Sequence, residues 1–170
     1  MADADRTSPL SSRKRDWFFV CAFSFFAFSS FFSDAWHGLD LLDETSFWGR
    51  ANLWYGRIAG DDFLLGDHDF ARYSTLISGF VYGPFYLALV YAFVKGKNWI
   101  RTPAFLYVGA MLHGYFEFMW WEHVLGEPPR VPLVFWAFNA PYGIVPILLA
   151  VRMWKPEPFA PEGATPSEAT

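Results

Sequence analysis

His113 and Glu117 stand four residues apart in the apolar run Pro103–Trp121. Four residues on a helix put two side chains on one face. An imidazole beside a carboxyl can deliver a proton to a substrate and take one back. An ionisable group in hydrocarbon costs roughly a few kcal/mol or more, so it is rare and turns toward a cavity or a partner. The pair therefore predicts acid/base chemistry on a lipid-like molecule. Its alternative is a helix-packing hydrogen bond to Asn139 or a tyrosine.

Asp34 closes an earlier apolar run and is a second acid, either facing the same molecule or solvated at the membrane surface. His113 and Glu117 also have the spacing of two metal ligands, with Asp34 or His123 to help, but no metal signature accompanies them. Proton transfer needs neither metal nor cofactor, and none is expected. The sequence contains no phosphate loop, nucleophile elbow or redox motif. Cys21 lies in an apolar run and reads as a structural thiol. His37 and His68 neighbour loop acids and are expected to be solvated. Trp120, Trp121, Glu122 and His123 are expected to form an aromatic belt and a wet helix end.

The elements that must carry these groups follow from composition. Of 170 residues, 54% are hydrophobic and 22% aromatic, including 20 Phe and 9 Trp. Only 18% are charged, against about 25% in soluble domains. Four runs, Trp17–Trp36, Tyr73–Val94, Pro103–Trp121 and Val131–Val151, approach the roughly 20 residues a spanning helix needs. In lipid such runs can only be helices. The predicted fold is an all-α integral membrane four-helix bundle over residues 17–154, flanked by disordered tails at 1–16 and 155–170. A cleaved signal peptide over the first run fits less well, because the run is too long and lacks a small-residue cleavage site.

Charge orients the bundle. Arg6, Arg13, Lys14 and Arg15 precede span one, Lys95, Lys97 and Arg101 separate spans two and three, and Arg152 and Lys155 follow span four. The positive-inside rule puts them, and both termini, in the cytoplasm. The loop Gly38–Arg72, rich in Asp and Glu, falls outside. No basic stripe points to nucleic acid.

With that orientation Asp34, Ser74, Thr75, Ser78, His113, Glu117 and Asn139 all fall in the outer half of the membrane. Glu117 lies about 6 Å further out than His113 at 1.5 Å per residue. The arrangement predicts a ligand cavity in the outer half. Its expected aromatic walls are Trp36, Tyr82, Phe85, Tyr115, Trp120, Trp121, Trp136 and Tyr142. Such walls suit a large, rigid apolar ligand with few polar handles, or a cation. Gly79-x-x-x-Gly83 fits a close helix contact, within the bundle in preference to a homodimer. Pro141 and Pro146 are expected to kink span four. No inverted repeat suggests a transporter.

Tyr91-Ala92-Phe93-Val94-Lys95-Gly96, followed by Trp99-Ile100-Arg101-Thr102-Pro103-Ala104, resembles the link between spans two and three in the sigma-2 receptor branch of the EXPERA family. Ala140-Pro141-Tyr142 with Pro146 resembles the same branch's last span. Gly83-Pro84, Glu122-His123 and Asn139-Ala140 resemble the emopamil-binding branch, the sterol Δ8–Δ7 isomerases. The resemblance covers roughly Ser29–Met153. It implies a bundle with a cavity opening sideways to lipid, and either sterol isomerisation or binding of sterols and cationic amphiphilic molecules.

By position, Asp34 matches the first-span acid of this family, while Ser30 stands where the isomerases carry a histidine. Asp62 resembles a first-loop aspartate. The family's span-two glutamate falls near Thr75 or Ser78, so it is lost here. Asn139 matches the last-span asparagine, and Tyr142 replaces a tryptophan. His113 and Glu117 are additional. The resemblance thus implies a diverged isomerase acting by proton transfer on a sterol or polycyclic isoprenoid. Asp34, Glu117 and His113 would be catalytic, and Asn139, Tyr142, Asp62, Ser78, Trp121 and Tyr115 would contact the ligand. The alternatives are a non-catalytic lipid binder or trafficking regulator, and a purely structural membrane protein. The membrane would be endoplasmic reticulum in a eukaryote or plasma membrane in a bacterium.

Overall fold

A computed structural model describes residues 7–66 and 68–161. The described residues form helices and no strand. Helix α1 runs Asp16–Gly38, α2 is Phe47–Ala59, α3 is Asp62–Leu65, α4 is Asp69–Lys95, α5 is Arg101–Trp120 and α6 is Pro132–Arg152. Three of them, α1, α4 and α6, are long and apolar enough to cross a bilayer. Helix α5 has 20 residues, a spanning length, but Arg101, His113, Glu117 and its glycines make it the most polar of the four.

Local signals end the elements. Ser46 caps α2 by accepting from the Gly49 N–H at 2.9 Å, the usual service of an N-cap hydroxyl. Gly60 and Gly96 close α2 and α4 with φ of 67° and 63°, a left-handed turn that favours glycine. Helix α6 continues through Pro141 and Pro146.

Helices α1 and α4 pack along their length, and α5 pairs with α6. In the half nearest the chain termini the bundle is solid. Phe19, Phe23 and Phe26 of α1 meet Tyr86, Leu89 and Phe93 of α4, with Ala104 and Tyr107 of α5 and Val145 and Leu149 of α6 around them. The Phe23 and Tyr86 rings stack at 5.9 Å and the Phe26 and Tyr142 rings at 4.3 Å. In hydrocarbon, burial from water does not drive helices together, so close packing must. Each aromatic pair adds about 0.5–1.5 kcal/mol beyond area.

The flanks are packed where they are described, contrary to the expectation of loose tails. Asp16 is 1% exposed and accepts two bonds from Arg152, at 2.7 and 2.9 Å, and one from Arg13. Both guanidinium groups lie over the ring of buried Phe159, at 4.8 and 5.1 Å from its centroid. Ser8 N–H and Phe159 C=O join the two flanks at 3.0 Å. The buried carboxylate needs those cations, and they join the described flanks to each other. Residues 1–6 and 162–170, also expected to be loose, lie outside the described residues.

The other half is hollow. Helices α1 and α4 each carry a π-helical turn there, at Ser30–Asp34 and Ser78–Tyr82. Such turns break the regular helix and recur at functional sites. Between the two turns the backbones nearly touch. A Cβ added to Gly79 would lie 2.7 Å from Ala35 Cβ, and one added to Gly83 3.1 Å from the Phe31 ring. The Gly79/Gly83 contact is therefore internal to the bundle.

Candidate functional site

A cavity of about 780 Å³ occupies the hollow half. Asp34, Ser78, His113, Glu117, Asn139, Tyr115 and Tyr142 all line it, so polar groups from four helices converge as their depth in the sequence predicts. The aromatic wall differs from the expected one. Tyr82, Tyr115 and Tyr142 contribute, but Trp36, Phe85, Trp120, Trp121 and Trp136 do not. Phe25, Phe28 and Phe32 of α1 and Trp48, Trp54 and Tyr55 of α2 take their place. The outer segment supplies this wall by folding into α2, whose amphipathic face turns to the cavity.

Asp34 is the central polar group. Ser78 Oγ donates to its Oδ2 at 2.6 Å, and Ser30 Oγ lies 3.2 Å from Ser78 Oγ. Among the described residues no cation lies within 4.0 Å of Asp34. The carboxyl thus has a hydroxyl ladder beneath it and no counter-charge.

His113 Nδ1 and Glu117 Oε2 are 3.5 Å apart, so the predicted one-face pair exists. It stands at the cavity's rim: the two side chains are 74% and 50% exposed. Tyr115 packs its ring against Gly143 of α6, where an added Cβ would be 2.7 Å away. Tyr142 donates to Ser29 Oγ at 2.8 Å.

Asn139 opens a second polar chain. Its Nδ2 donates to Tyr55 Oη at 2.8 Å, and Tyr55 donates to Asp61 Oδ2 at 2.9 Å. Asp61 Oδ1 accepts from the Leu64 N–H at 3.0 Å and caps α3. Glu122, in the turn after α5, is fully buried and accepts from the Asp62 and Phe63 N–H groups at 3.3 and 3.2 Å. Burial, then the nearby Asp61 charge, pushes its carboxyl up to about 7. Burial also raises Asp61, against the Leu64 and Tyr55 hydrogen bonds that lower it. The Tyr55 hydroxyl is pushed up by burial and by the same Asp61.

Five expectations are corrected. Asp62 does not line the cavity; as the first residue of α3 it turns aside to His68, 3.3 Å away, and Asp61, one position earlier, faces inward. Trp121 packs on Phe63 and His68 and lines a separate groove with Phe70, Phe116, Glu117, Trp120 and Leu125. Glu122 is buried by the outer segment instead of forming a wet helix end. His37 is 7% exposed, not solvated, because α1 continues to Gly38 and packs on α4. Cys21 is exposed on the outer surface of α1 and takes no part in the core.

Long apolar helices around a cavity that holds Asp34 and Asp61 without a cation partner among the described residues are the features of an integral membrane protein with an internal pocket. The chain belongs to EXPERA, the EXPanded EBP superfamily, whose pattern it matches over residues 47–153. No curated protein matches it. The matched range begins after α1, so the correspondence of Ser30 and Asp34 with a first-span pair lies outside it.

Proposed function

We propose that this protein is a four-span membrane protein with both termini in the cytoplasm that binds a sterol or polycyclic isoprenoid and shifts a double bond within it. The orientation is supported by Arg13, Arg101, Arg152 and Lys155 gathering at one end of the bundle, where Arg101 donates to the Met153 and Lys155 carbonyls. The cavity volume falls within the roughly 300–1,000 Å³ of small-molecule sites. Its mostly apolar walls fit a rigid hydrocarbon framework.

The observation that carries the reading is Asp34, an acid inside the cavity held by a serine and, among the described residues, by no cation. A protonated Asp34 adds its proton to one alkene carbon. The positive charge left on the neighbouring carbon faces the rings of Tyr82 and Tyr142. A base then removes a proton from an adjacent carbon, and the double bond re-forms one position along. One proton enters and one leaves, so no cofactor is consumed. Glu117, paired with His113, is the proposed base. Asn139, Tyr142, Tyr115 and Ser78 orient the ligand.

Purified protein incubated with a Δ8-sterol and with other polycyclic isoprenoids, products read by mass spectrometry, tests this. A shifted double bond that Glu117→Gln reduces supports it. Activity untouched by Glu117→Gln removes Glu117 from the mechanism.

The half-exposed position of Glu117 favours one second reading: a non-catalytic binder of lipids or cationic amphiphiles, with Asp34 as counter-ion. Its signature is a lipid that co-purifies from native membrane and is released unchanged.

A further inference from the structure

Outside the cavity, a groove of about 500 Å³ follows the end of α5, walled by Phe70 of α4 and by Phe116, Trp120, Trp121 and Leu125. Among the described residues its single charged group is Glu117. Phe116 and Trp120, one turn apart on α5, are 66% and 52% exposed. Their ring planes lie 31° apart with centroids separated by 6.3 Å. Trp121 is held by Phe63 and His68, whose ring centroids are 5.5 and 4.6 Å away. Part of the wall is therefore fixed before anything binds.

Four aromatic side chains around one carboxylate suit a cation that has no N–H to donate. The ring faces offer diffuse negative charge, and Glu117 supplies the counter-charge. A primary ammonium needs hydrogen-bond acceptors, and the only acceptor side chain lining the groove is Glu117. A trimethylammonium group has no such need. Depth names its source. Helix α4 has 27 residues, about 40 Å at 1.5 Å per residue, close to the thickness of a bilayer with its headgroups. Phe70 is its second residue, so the groove lies at headgroup level. We propose that the groove seats the trimethylammonium head of a phospholipid from the adjoining leaflet.

Leu106, Gly109, Phe116 and Trp120 recur at helical spacing on one exposed face of α5. With the head at Trp120, the acyl chains run along that face toward Leu106, down into the leaflet. The lipid lies on the outside of the bundle, apart from any molecule in the cavity. Only Phe70 and Glu117 belong to both hollows, so this site stands whether or not the protein moves a double bond.

Native mass spectrometry of the purified full chain tests this, with a phosphatidylcholine, a phosphatidylethanolamine and a phosphatidylglycerol of identical acyl chains. Wild type is expected to retain the phosphatidylcholine roughly fivefold more tightly than either other lipid. Trp120→Leu is expected to erase that preference and Trp120→Phe to keep most of it. Phe116→Leu repeats the loss if the first variant does not fold. Trp136→Leu removes an exposed tryptophan outside the groove and should leave the preference intact. Equal retention of the three lipids by wild type overturns the proposal, as does a preference that survives both Trp120→Leu and Phe116→Leu. A lipid-free dimer overturns it in favour of a second copy of the chain. Binding of tetramethylammonium with no preference among the lipids overturns it in favour of a free cation.

Discussion

Asp34 and Ser78 face each other from matched π-helical turns on α1 and α4, with the serine hydroxyl donating to the carboxyl at 2.6 Å. A π-turn carries one more residue per hydrogen-bonded loop than an α-turn, so each rotates its side chains out of register with the rest of the helix. Here both rotations point into the cavity.

Asp34→Asn is expected to abolish double-bond migration while keeping lipid affinity within severalfold, because shape survives and the transferable proton does not. Mass spectrometry of products and a ligand-dependent thermal shift measured on one preparation separate the two effects. Full activity in this variant would exclude Asp34 as the acid.

Gly79→Ala is expected to cost about 1–3 kcal/mol, the usual penalty of overpacking. Its Cβ would press on Ala35 Cβ at 2.7 Å and Cα at 2.9 Å, and parting the helices there breaks the Asp34–Ser78 bond as well. Gly109→Ala is the control: its Cβ meets nothing within 4 Å. A melting temperature unchanged by Gly79→Ala would contradict the close crossing.

Asp16→Ala is expected to destabilise the protein by roughly 1–3 kcal/mol, since it takes the shared carboxylate from two partly buried cations. Thermal unfolding in detergent reads this directly. Exposure of the Phe159 segment to limited proteolysis should rise with it. An unchanged melting curve would mean the cluster contributes nothing net.

Stability should fall as pH rises between about 4.5 and 7. Glu122 has an ordinary value of 4.5 and is pushed up to about 7 by burial. The folded state therefore holds its proton where the unfolded state has released it, a stabilisation fully present below 4.5 and lost as pH passes 7. The slope from one such group is at most about 1.4 kcal/mol per pH unit. Denaturation midpoints across that window should flatten in Glu122→Gln. A slope that persists unchanged would assign the effect elsewhere.

Much of this was legible in the sequence, for identifiable reasons. Apolar length marked the helices, and the placement of Lys and Arg supplied their proposed alternation. Alternation in turn fixed the depth of Asp34, Ser78, Glu117 and Asn139, and depth was enough to group them. Depth says nothing about which way a side chain turns, which is why Trp121 is expected at the ligand, and the resemblance that singles out Asp62 does not tell which of two adjacent acids faces inward. The Asp61-Asp62-Phe63-Leu64-Leu65 string did carry a usable signal: an acid ahead of a short apolar run is an N-cap. Ser46 and Gly60 likewise bracketed α2 inside what read as a loop. His37 and Glu122 were beyond reach, because tertiary packing alone decides that one loses its water and the other its solvent-facing end.

The division of the bundle into a solid aromatic half and a hollow half has a consequence for supply. On the proposed lipid-binding reading, the cavity opens to the monolayer that the hollow half adjoins. On that reading the protein touches two leaflets but samples the contents of one. Its working ligand concentration is then set by that leaflet's composition and by how fast the molecule flips across, not by its total abundance in the membrane.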